Sequence, residues 1–497
     1  MPDLSARFAA LPFKMRLIGL AATGVFAALG QAPLNLFPAT ILGLMLVLHI
    51  YRAASTPRQA AWYLWAFGFG YFAFALRWII EPFLVDIARH GWMAPFALFL
   101  MAAGAGLFWA VAGWLAARLA PRNRLMLVIA IASAEIARAL VLTGFPWALL
   151  GHSLVDTPAA QLAAWGGAHL LTLIIVLAAW CLTNLLARPV FAVLFALIVG
   201  GATFAVIPAP AAAPSDDAPL IRMVQPNAPQ HQKWDPAYRD VFFNRLVDYS
   251  RADAVPDLIV WPETAVASLL NYVEPDTSLL VEATRGAPLV FGIQRQDDAA
   301  RFYNSFVVMG PTGEIDAVYD KSHLVPFGEY IPGRRLVARL GLTGLADRVG
   351  GFTPGQNSEA ILIPGIGNAI ALICYEGIFA EEIARDGARP RLIVLITNDA
   401  WFGKAAGPYQ HLAQARLRAI EQGLPMVRVA NTGVTAMIDG QGRVRASIPL
   451  GQEGAIDAPL PPALPATVYV AYGDMTVFIV LLLLTLGVYL KARRDTD

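Results

Sequence analysis

Glu263, Lys321 and Cys374 each follow a short apolar run, and a carboxylate, an ammonium and a thiol together suffice for acyl transfer. The carboxylate takes the thiol proton, the thiolate attacks a carbonyl, and the ammonium offsets the charge that develops on the carbonyl oxygen. Cys374 ends the run 368–373 (Asn-Ala-Ile-Ala-Leu-Ile), short enough for a buried strand and bounded by Gly367 and Gly377. Residues 379–385 then show helical spacing with acids in the first turn. The sulfur is therefore expected near a helix N-terminus, where N–H groups favour a thiolate over the unperturbed pKa of roughly 8.5. A bland reading stands beside this one. A cysteine at a strand end is often a small buried hydrophobe, and a single Glu or Lys is usually solvated surface.

The elements that must position these groups are strands alternating with amphipathic helices. Residues 220–224, 258–261, 289–293, 306–309, 369–373, 392–397 and 426–429 read as strands, and 238–250 and 409–422 as helices. Pro262 forces an extended exit from the second strand, which delivers Glu263. Pro311-Thr312-Gly313 and Asp439-Gly440-Gln441-Gly442 are hairpin turns. Apolar strands interspersed with helices argue for an α/β domain whose sheets are covered on their outer faces.

That domain is flanked by something very different. Of the 497 residues 57% are hydrophobic, and the mean hydropathy is +0.55. The apolar excess lies in 16–207 and 468–490, and about eight segments approach the ~20 residues a bilayer crossing requires. They are 17–29, 37–50, 60–80, 94–117, 125–142, 162–185, 190–207 and 468–490. The basic start of the chain before 17–29 could be read as a signal peptide, but the immediate second apolar run favours an uncleaved helix pair. The expected organisation is a multi-pass helical membrane domain over 1–207 and a Pro/Ala-rich linker over 208–219. A catalytic domain over 220–462, a last membrane helix over 468–490 and a cytoplasmic tail over 491–497 follow. Arg7, Lys14, Arg16, Arg52, Arg58, Arg118, Arg122, Arg124, Arg188, Lys491, Arg493 and Arg494 fall on one side if the N-terminus is cytoplasmic. Seven crossings then place the α/β domain outside the cytoplasmic membrane.

Charge is nearly balanced, 37 basic against 36 acidic residues, so nothing suggests nucleic acid as a partner. Two cysteines exclude a disulfide scaffold, and no Cys/His spacing resembles a metal site. Glu135 and Arg138, three apart in one apolar segment, read equally well as a functional intramembrane pair and as a helix-stabilising one. His169 and Cys181 read as packing residues.

Trp261-Pro262-Glu263, Lys321 with His323-Leu324-Val325-Pro326-Phe327-Gly328-Glu329, and Cys374-Tyr375-Glu376 resemble the Glu-Lys-Cys signature of the nitrilase, or carbon–nitrogen hydrolase, superfamily. With apolar segments at both ends, the chain is similar over essentially its whole length to the membrane-embedded apolipoprotein N-acyltransferase branch. Thr143-Gly144-Phe145-Pro146-Trp147 and Thr397-Asn398-Asp399-Ala400-Trp401-Phe402 share the likeness. The resemblance implies an αββα sandwich on a helical membrane base, moving an acyl chain from a phospholipid to the N-terminal cysteine of a diacylglyceryl apolipoprotein. It implies Cys374 as nucleophile, Glu263 as general base and Lys321 as stabiliser of the tetrahedral intermediate. Glu329 would support the triad, Tyr375 and Glu376 would flank the nucleophile, and Trp234 would sit on a substrate-contacting arm. Asn398 is a further site candidate, and His323 is expected to be structural.

No cofactor is expected: no Walker-type phosphate loop is present, and the donor ester would supply the driving force. Two rivals share part of the pattern. A membrane-anchored amidase would use the same three residues but admit water to the acyl-enzyme. A transporter with an ectodomain is disfavoured by few intramembrane charges and no evident repeat. Leu336, Val337, Leu340, Leu342 and Leu345 could form a lid facing lipid or a core helix equally well.

Overall fold

The computed structural model describes residues 2–185, 188–204, 214–252, 254–332, 351–356, 359–383 and 388–494. The candidate lid residues Leu336, Val337, Leu340, Leu342 and Leu345 lie outside them, as do the end of the expected span 190–207 and the first half of the linker. The chain divides into a helical unit (1–209, 405–422, 466–497) and an α/β unit (210–404, 423–465).

In the helical unit the apolar segments form the helices Phe13–Ala28, Phe37–Ile50, Pro57–Ala75, Ala94–Leu119, Arg124–Leu140, Ala163–Asn184, Val190–Phe204 and Met475–Arg494. Small residues let them approach closely. A Cβ on Gly70 would lie 1.9 Å from the carbonyl oxygen of Ala21, so only glycine permits that crossing. Among the described residues, Ile87–Leu119 and Pro158–Asn184 are long and apolar enough to cross a membrane. Pro57–Ala75 with Arg77–Leu84 would make a third span, bent by 61°. Phe37–Ala53 and Met475–Lys491 are shorter apolar helices. Eight full spans were expected, and length is what separates several segments from that expectation. The 17 residues of Arg124–Leu140 rise only about 26 Å, against roughly 30 Å of hydrocarbon.

Glu135 and Arg138 form a fully buried pair at 3.0 Å. Trp109 Nε1 donates to Glu135 Oε1 at 2.9 Å, and Arg138 Nη1 donates to the carbonyls of Phe145 and Trp147 at 2.6 and 2.8 Å. The pair thus ties two helices to the 143–147 segment, each charge hydrogen-bonded as a buried charge must be. The helix Gly407–Gln422 clusters with this unit although it lies inside the 220–462 stretch. Its Gln410 accepts from Trp147 Nε1 at 2.7 Å and donates to the carbonyls of Ala32 and Ala75, while Glu421 accepts from the Ala168 N–H. These long-range polar contacts follow from a helix that is buried almost all round yet carries Gln410, His411, Gln414, Arg418 and Glu421.

The α/β unit holds two six-stranded sheets. The first is built from β1 (Leu220–Gln225), β2 (Leu258–Val260), β3 (Leu289–Gln296), β4 (Phe302–Met309) and β5 (Ile315–Asp320). The second holds β6 (Ile361–Ile363), β7 (Gly367–Ile373), β8 (Leu392–Thr397), β9 (Met426–Ala430), β10 (Thr435–Ile438) and β11 (Val444–Ile448). The closing strand β12 (Gly454–Pro459) returns to pair antiparallel with β1. The orders are β12-β1-β2-β3-β4-β5 and β11-β10-β9-β8-β7-β6, with β1-β2-β3 and β7-β8-β9 parallel.

The strands are apolar on both sides because each side is buried in a different layer. Ile221, Met223, Leu258, Val260, Phe306 and Val308 join Ala371, Ile373, Val394, Ile396 and Val429 in the core shared by the sheets. Their neighbours Val224, Ile259, Val307 and Met309 instead pack with Leu246 and Val247 of the helix Arg239–Ser250 and with Leu280 and Ala283 of the helix Glu274–Thr284. The α/β sandwich expected from the sequence is therefore present as two face-to-face sheets with helices on the outer face of the first. Both expected hairpins form, β4–β5 and β10–β11.

Candidate active site

Each candidate residue sits where a strand ends. β2 stops at Val260, and Trp261 and Pro262 carry the chain on to Glu263. The next strand passes directly beneath this turn: a Cβ on Gly292 of β3 would lie 2.6 Å from Glu263 Cα and 2.5 Å from the Thr264 nitrogen. Lys321 follows β5, its N–H bonded to the Asn304 carbonyl and its own carbonyl accepting from Gly355. Cys374 follows β7 in a left-handed conformation (φ 51°), unusual for a residue with a side chain.

The structure brings Glu263 and Lys321 into contact, with Cys374 within their electrostatic reach. Lys321 Nζ lies 3.0 Å from Glu329 Oε1 and 3.7 Å from Glu263 Oε1, with Lys321 1% and Glu263 8% exposed as side chains. Asn304 Nδ2 donates to both carboxylates, at 2.7 Å to Glu263 Oε1 and 3.2 Å to Glu329 Oε1. The second oxygen of Glu263 accepts from the main-chain N–H of Asn398 at 2.8 Å. Glu329 Oε2 accepts from the Val325 N–H at 2.7 Å, which closes the loop that bears it. Asn398 is itself oriented by Gln230 and Asn431, at 2.8 Å each.

Glu376 fastens the cysteine turn to the lysine segment. Its Oε2 accepts from the Ile373 N–H at 2.8 Å. Its Oε1 accepts from the Ser322 N–H and hydroxyl, the His323 N–H and the Tyr319 hydroxyl at 2.6 to 3.2 Å. His323 faces away into its own cluster, with Nδ1 2.5 Å from Glu382 Oε1 and its ring stacked 3.9 Å from Phe379, beside Tyr375. Trp234 is 43% exposed. Among the described residues no group of three His, Cys, Asp or Glu side chains is placed to hold a metal.

The electrostatics correct one expectation. Cys374 and Ile378 bound a single 3-10 turn, and Glu381–Ile383 is another, so no α-helix end points at the sulfur among the described residues. Burial, followed by the Glu263 charge, pushes the thiol up from its ordinary value, with Lys321 only partly opposing. Within the helix expected over 379–385, residues 381–383 form only a 3-10 turn, and 384 and 385 lie outside the described residues. Cys374 therefore ionises only as its proton leaves to a local base. Lys321 is also shifted up, with the opposite consequence for charge: burial pulls its pKa down, but Glu329, Glu263 and Cys374 together outweigh burial and hold the ammonium charged. A thiol, an adjacent buried carboxylate and a fixed cation can perform acyl transfer through a covalent thioester, to an amine or to water.

Residues 23–181 match the family model of the apolipoprotein N-acyltransferase N-terminal domain, and 221–467 match that of carbon–nitrogen hydrolases. The apolipoprotein N-acyltransferase of Bradyrhizobium diazoefficiens is 36% identical over 520 aligned positions, covering 97% of this chain and 95% of that one. The enzyme of the same name from Brucella melitensis is 35% identical, covering 88% of each chain. The chain belongs to the apolipoprotein N-acyltransferase family. As a member of it, the protein is an N-acyltransferase, its two matched regions corresponding to an apolar helical part and a carbon–nitrogen hydrolase part. The amidase from Nesterenkonia sp. AN1 is similar over 54% of this chain and 98% of its own, at 17% identity and a TM-score of 0.39. A CN-hydrolase superfamily protein from Xanthomonas campestris covers 49% and 90%, at 19% identity and a TM-score of 0.36.

Two residues of this candidate site escaped the sequence reading. Asn304 holds both carboxylates, and its signal is the polar pair Asn304-Ser305 inside an otherwise apolar strand. Lys233 is buried beside Glu263 although its neighbours Gln232 and Asp235 are polar; nothing in the local pattern marks it as an inward-facing residue.

Proposed function

We propose that the enzyme transfers an acyl chain from a phospholipid to the N-terminal amine of the diacylglyceryl cysteine of apolipoproteins, through a thioester on Cys374. Cys374 attacks the ester carbonyl while Glu263 takes the thiol proton, and Lys321 offsets the oxyanion charge. The lysophospholipid alcohol leaves with the proton held on Glu263. The acceptor amine then attacks the thioester, Glu263 takes the amine proton, and Cys374 departs and is reprotonated. Glu329 and Asn304 hold Lys321 and Glu263, and Glu376 holds the nucleophile turn against the lysine segment. Trp234, exposed on the arm next to the site, and Tyr375 are assigned to substrate contact.

The observation that carries this reading is the buried Glu263–Lys321–Glu329 cluster with Cys374 within its electrostatic reach, in a chain whose other part is apolar helices. Tethering such a site to a bilayer spares the extraction of acyl chains into water, which costs about 0.8 kcal/mol per CH₂. Neither Cys374 nor Cys181 is in a disulfide, as a working thiol in an oxidising compartment requires. Phospholipid carrying a labelled acyl chain tests the function. Purified enzyme should move label to a diacylglyceryl lipopeptide, and in its absence should release little free fatty acid. Rapid fatty-acid release with no labelled lipopeptide would make the protein a hydrolase and overturn the reading.

The membrane is proposed to be the bacterial cytoplasmic, or inner, membrane, with the α/β unit on the periplasmic side. The basis is the Lys/Arg asymmetry of the connecting segments. A reporter fused after Ala213 should register as periplasmic and one after Arg494 as cytoplasmic. A cytoplasmic signal at Ala213 would remove the compartment and with it the lipoprotein acceptor.

A further inference from the structure

Beside Glu263 lies a second buried lysine that the proposed mechanism does not use. Lys233 is 7% exposed. Its ammonium donates to the main-chain carbonyl of Glu263 at 2.9 Å and to the Thr264 hydroxyl at 2.7 Å. Both acceptors are uncharged, and no carboxylate lies within ion-pair distance of Lys233 among the described residues. A buried ammonium without a paired anion is disfavoured relative to an apolar side chain of similar length, so packing alone does not account for it. The cavity it lines with Thr264 and Asn431 measures about 10 Å³, room for no more than one water. Its loop is nonetheless built into the site. The Lys233 N–H bonds to the Pro229 carbonyl, Gln230 bonds Asn398, and Ala228 exchanges two hydrogen bonds with Asn431. Trp234, on the substrate arm, is the next residue, and its ring lies 5.7 Å from the ammonium.

We propose that Lys233 is a positioning residue that fixes Glu263 through its main-chain carbonyl, and that its positive charge is required for efficient acylation of Cys374. The inference rests on the triad reading above and extends it. Glu263 is held on three sides: its two carboxylate oxygens by Asn304 and Asn398, and its backbone by Lys233. Losing the third hold lets the base drift from the thiol, and small displacements of a catalytic group cost large factors in rate. The charge acts in the same direction at the sulfur: Cys374 becomes an anion as Glu263 takes its proton, and a cation within electrostatic reach of the sulfur favours that thiolate.

The pH dependence has a definite sign. Burial lowers Lys233 to about 8, with Glu263 and Cys374 opposing the shift only in part. Its charge is therefore lost as pH rises through about 8, and activity should fall there. Stability should do the opposite. A lysine whose folded pKa lies below its unfolded value of about 10.4 binds fewer protons when folded, so its contribution to stability rises between those values.

The test measures acylation of Cys374 by phospholipid between pH 6 and 10 in the full-length enzyme. Lys233→Met should acylate on the order of 10²-fold more slowly at pH 7, lose the alkaline fall near pH 8, and melt no lower than the parent. Lys233→Arg, which stays charged, should retain more activity and keep it to higher pH. Either a parental rate in Lys233→Met or a loss of rate with the alkaline limb unchanged overturns the proposal. Alkylation of Cys374 by iodoacetamide, in a Cys181→Ser background, separates the two readings. Slower alkylation in Lys233→Met supports the role of the cation even if phospholipid fails to acylate the parent, a failure that would count against the triad reading alone.

Discussion

Enzyme incubated with phospholipid alone should gain one acyl chain on Cys374, and the Cys374→Ala variant should gain none. Intact-mass measurement reads the adduct, neutral hydroxylamine should remove it as it removes thioesters, and acceptor lipopeptide should discharge it. Loss of a covalent nucleophile can cost on the order of 10⁶ in turnover, and nothing else among the described side chains replaces it here. Cys374→Ser should be as inactive as the alanine variant. Burial and the Glu263 charge already push the thiol up, and a hydroxyl in the same place is far harder to deprotonate. Cys181→Ser should behave as the parent, because Cys181 is buried within the apolar helix Ala163–Asn184 of the other unit. The chemical reason to expect a covalent intermediate is that the proposed donor and acceptor are both bulky lipids, which a covalent intermediate lets one pocket serve in turn. Acyl transfer that occurs only with both substrates present, and never labels Cys374, would replace the two-step scheme with direct transfer.

Sequence reasoning worked best where pattern and structure share a period. The runs 258–261, 306–309 and 369–373 became strands because an apolar run of that length has to be buried on both faces, and two layers were available to do so. The hairpin turns were legible from Pro311, Gly313, Gly440 and Gly442, whose backbone preferences act locally. β6 and β12 were not legible. Three residues of β6 are too few to show a period, and in the edge strand β12 only Ala458 is buried, so no apolar run marks it. The helix Glu274–Thr284 starts Glu-Pro-Asp and has a weakly amphipathic body, so it hid among loop-like residues.

At the site, Glu263, Lys321 and Cys374 could be picked out because each follows a strand and carries reactive chemistry. Their mutual geometry depended on partners that have no sequence signature. The Asn398 contact with Glu263 runs through a main-chain N–H, and Asn304 lies 41 residues from the carboxylate it holds. The helix Gly407–Gln422 shows the same limit in the other unit. Its period was readable, but its clustering with the apolar helices is decided by Gln410 and Glu421 bonding to residues more than 250 positions away.

Lys321→Met should fold poorly as well as turn over slowly, and the two losses have separable causes. The ammonium is the counter-charge for Glu263 and Glu329, Lys321 and Glu263 being nearly inaccessible and Glu329 partly buried. Removing one partner of such a cluster leaves uncompensated buried charge, which costs about 3–5 kcal/mol. The melting temperature of Lys321→Met should therefore lie well below that of the parent. In the parent, the stabilisation from Lys321 has a definite pH window. Its pKa lies above the ordinary lysine value, so its stabilisation is fully present below about 10.4 and is lost only at higher pH. At any pH where the variant is folded, turnover should remain on the order of 10²- to 10³-fold down, the usual loss for a missing oxyanion stabiliser. Lys321→Arg should restore part of the stability and little of the rate. A guanidinium keeps the charge, but its planar fork cannot place that charge where the compact ammonium sits, 3.0 Å from Glu329 and 3.7 Å from Glu263. Turnover in Lys321→Met near the parental rate, in protein shown to be folded, would reduce this lysine to a counter-ion and leave the oxyanion without its proposed partner.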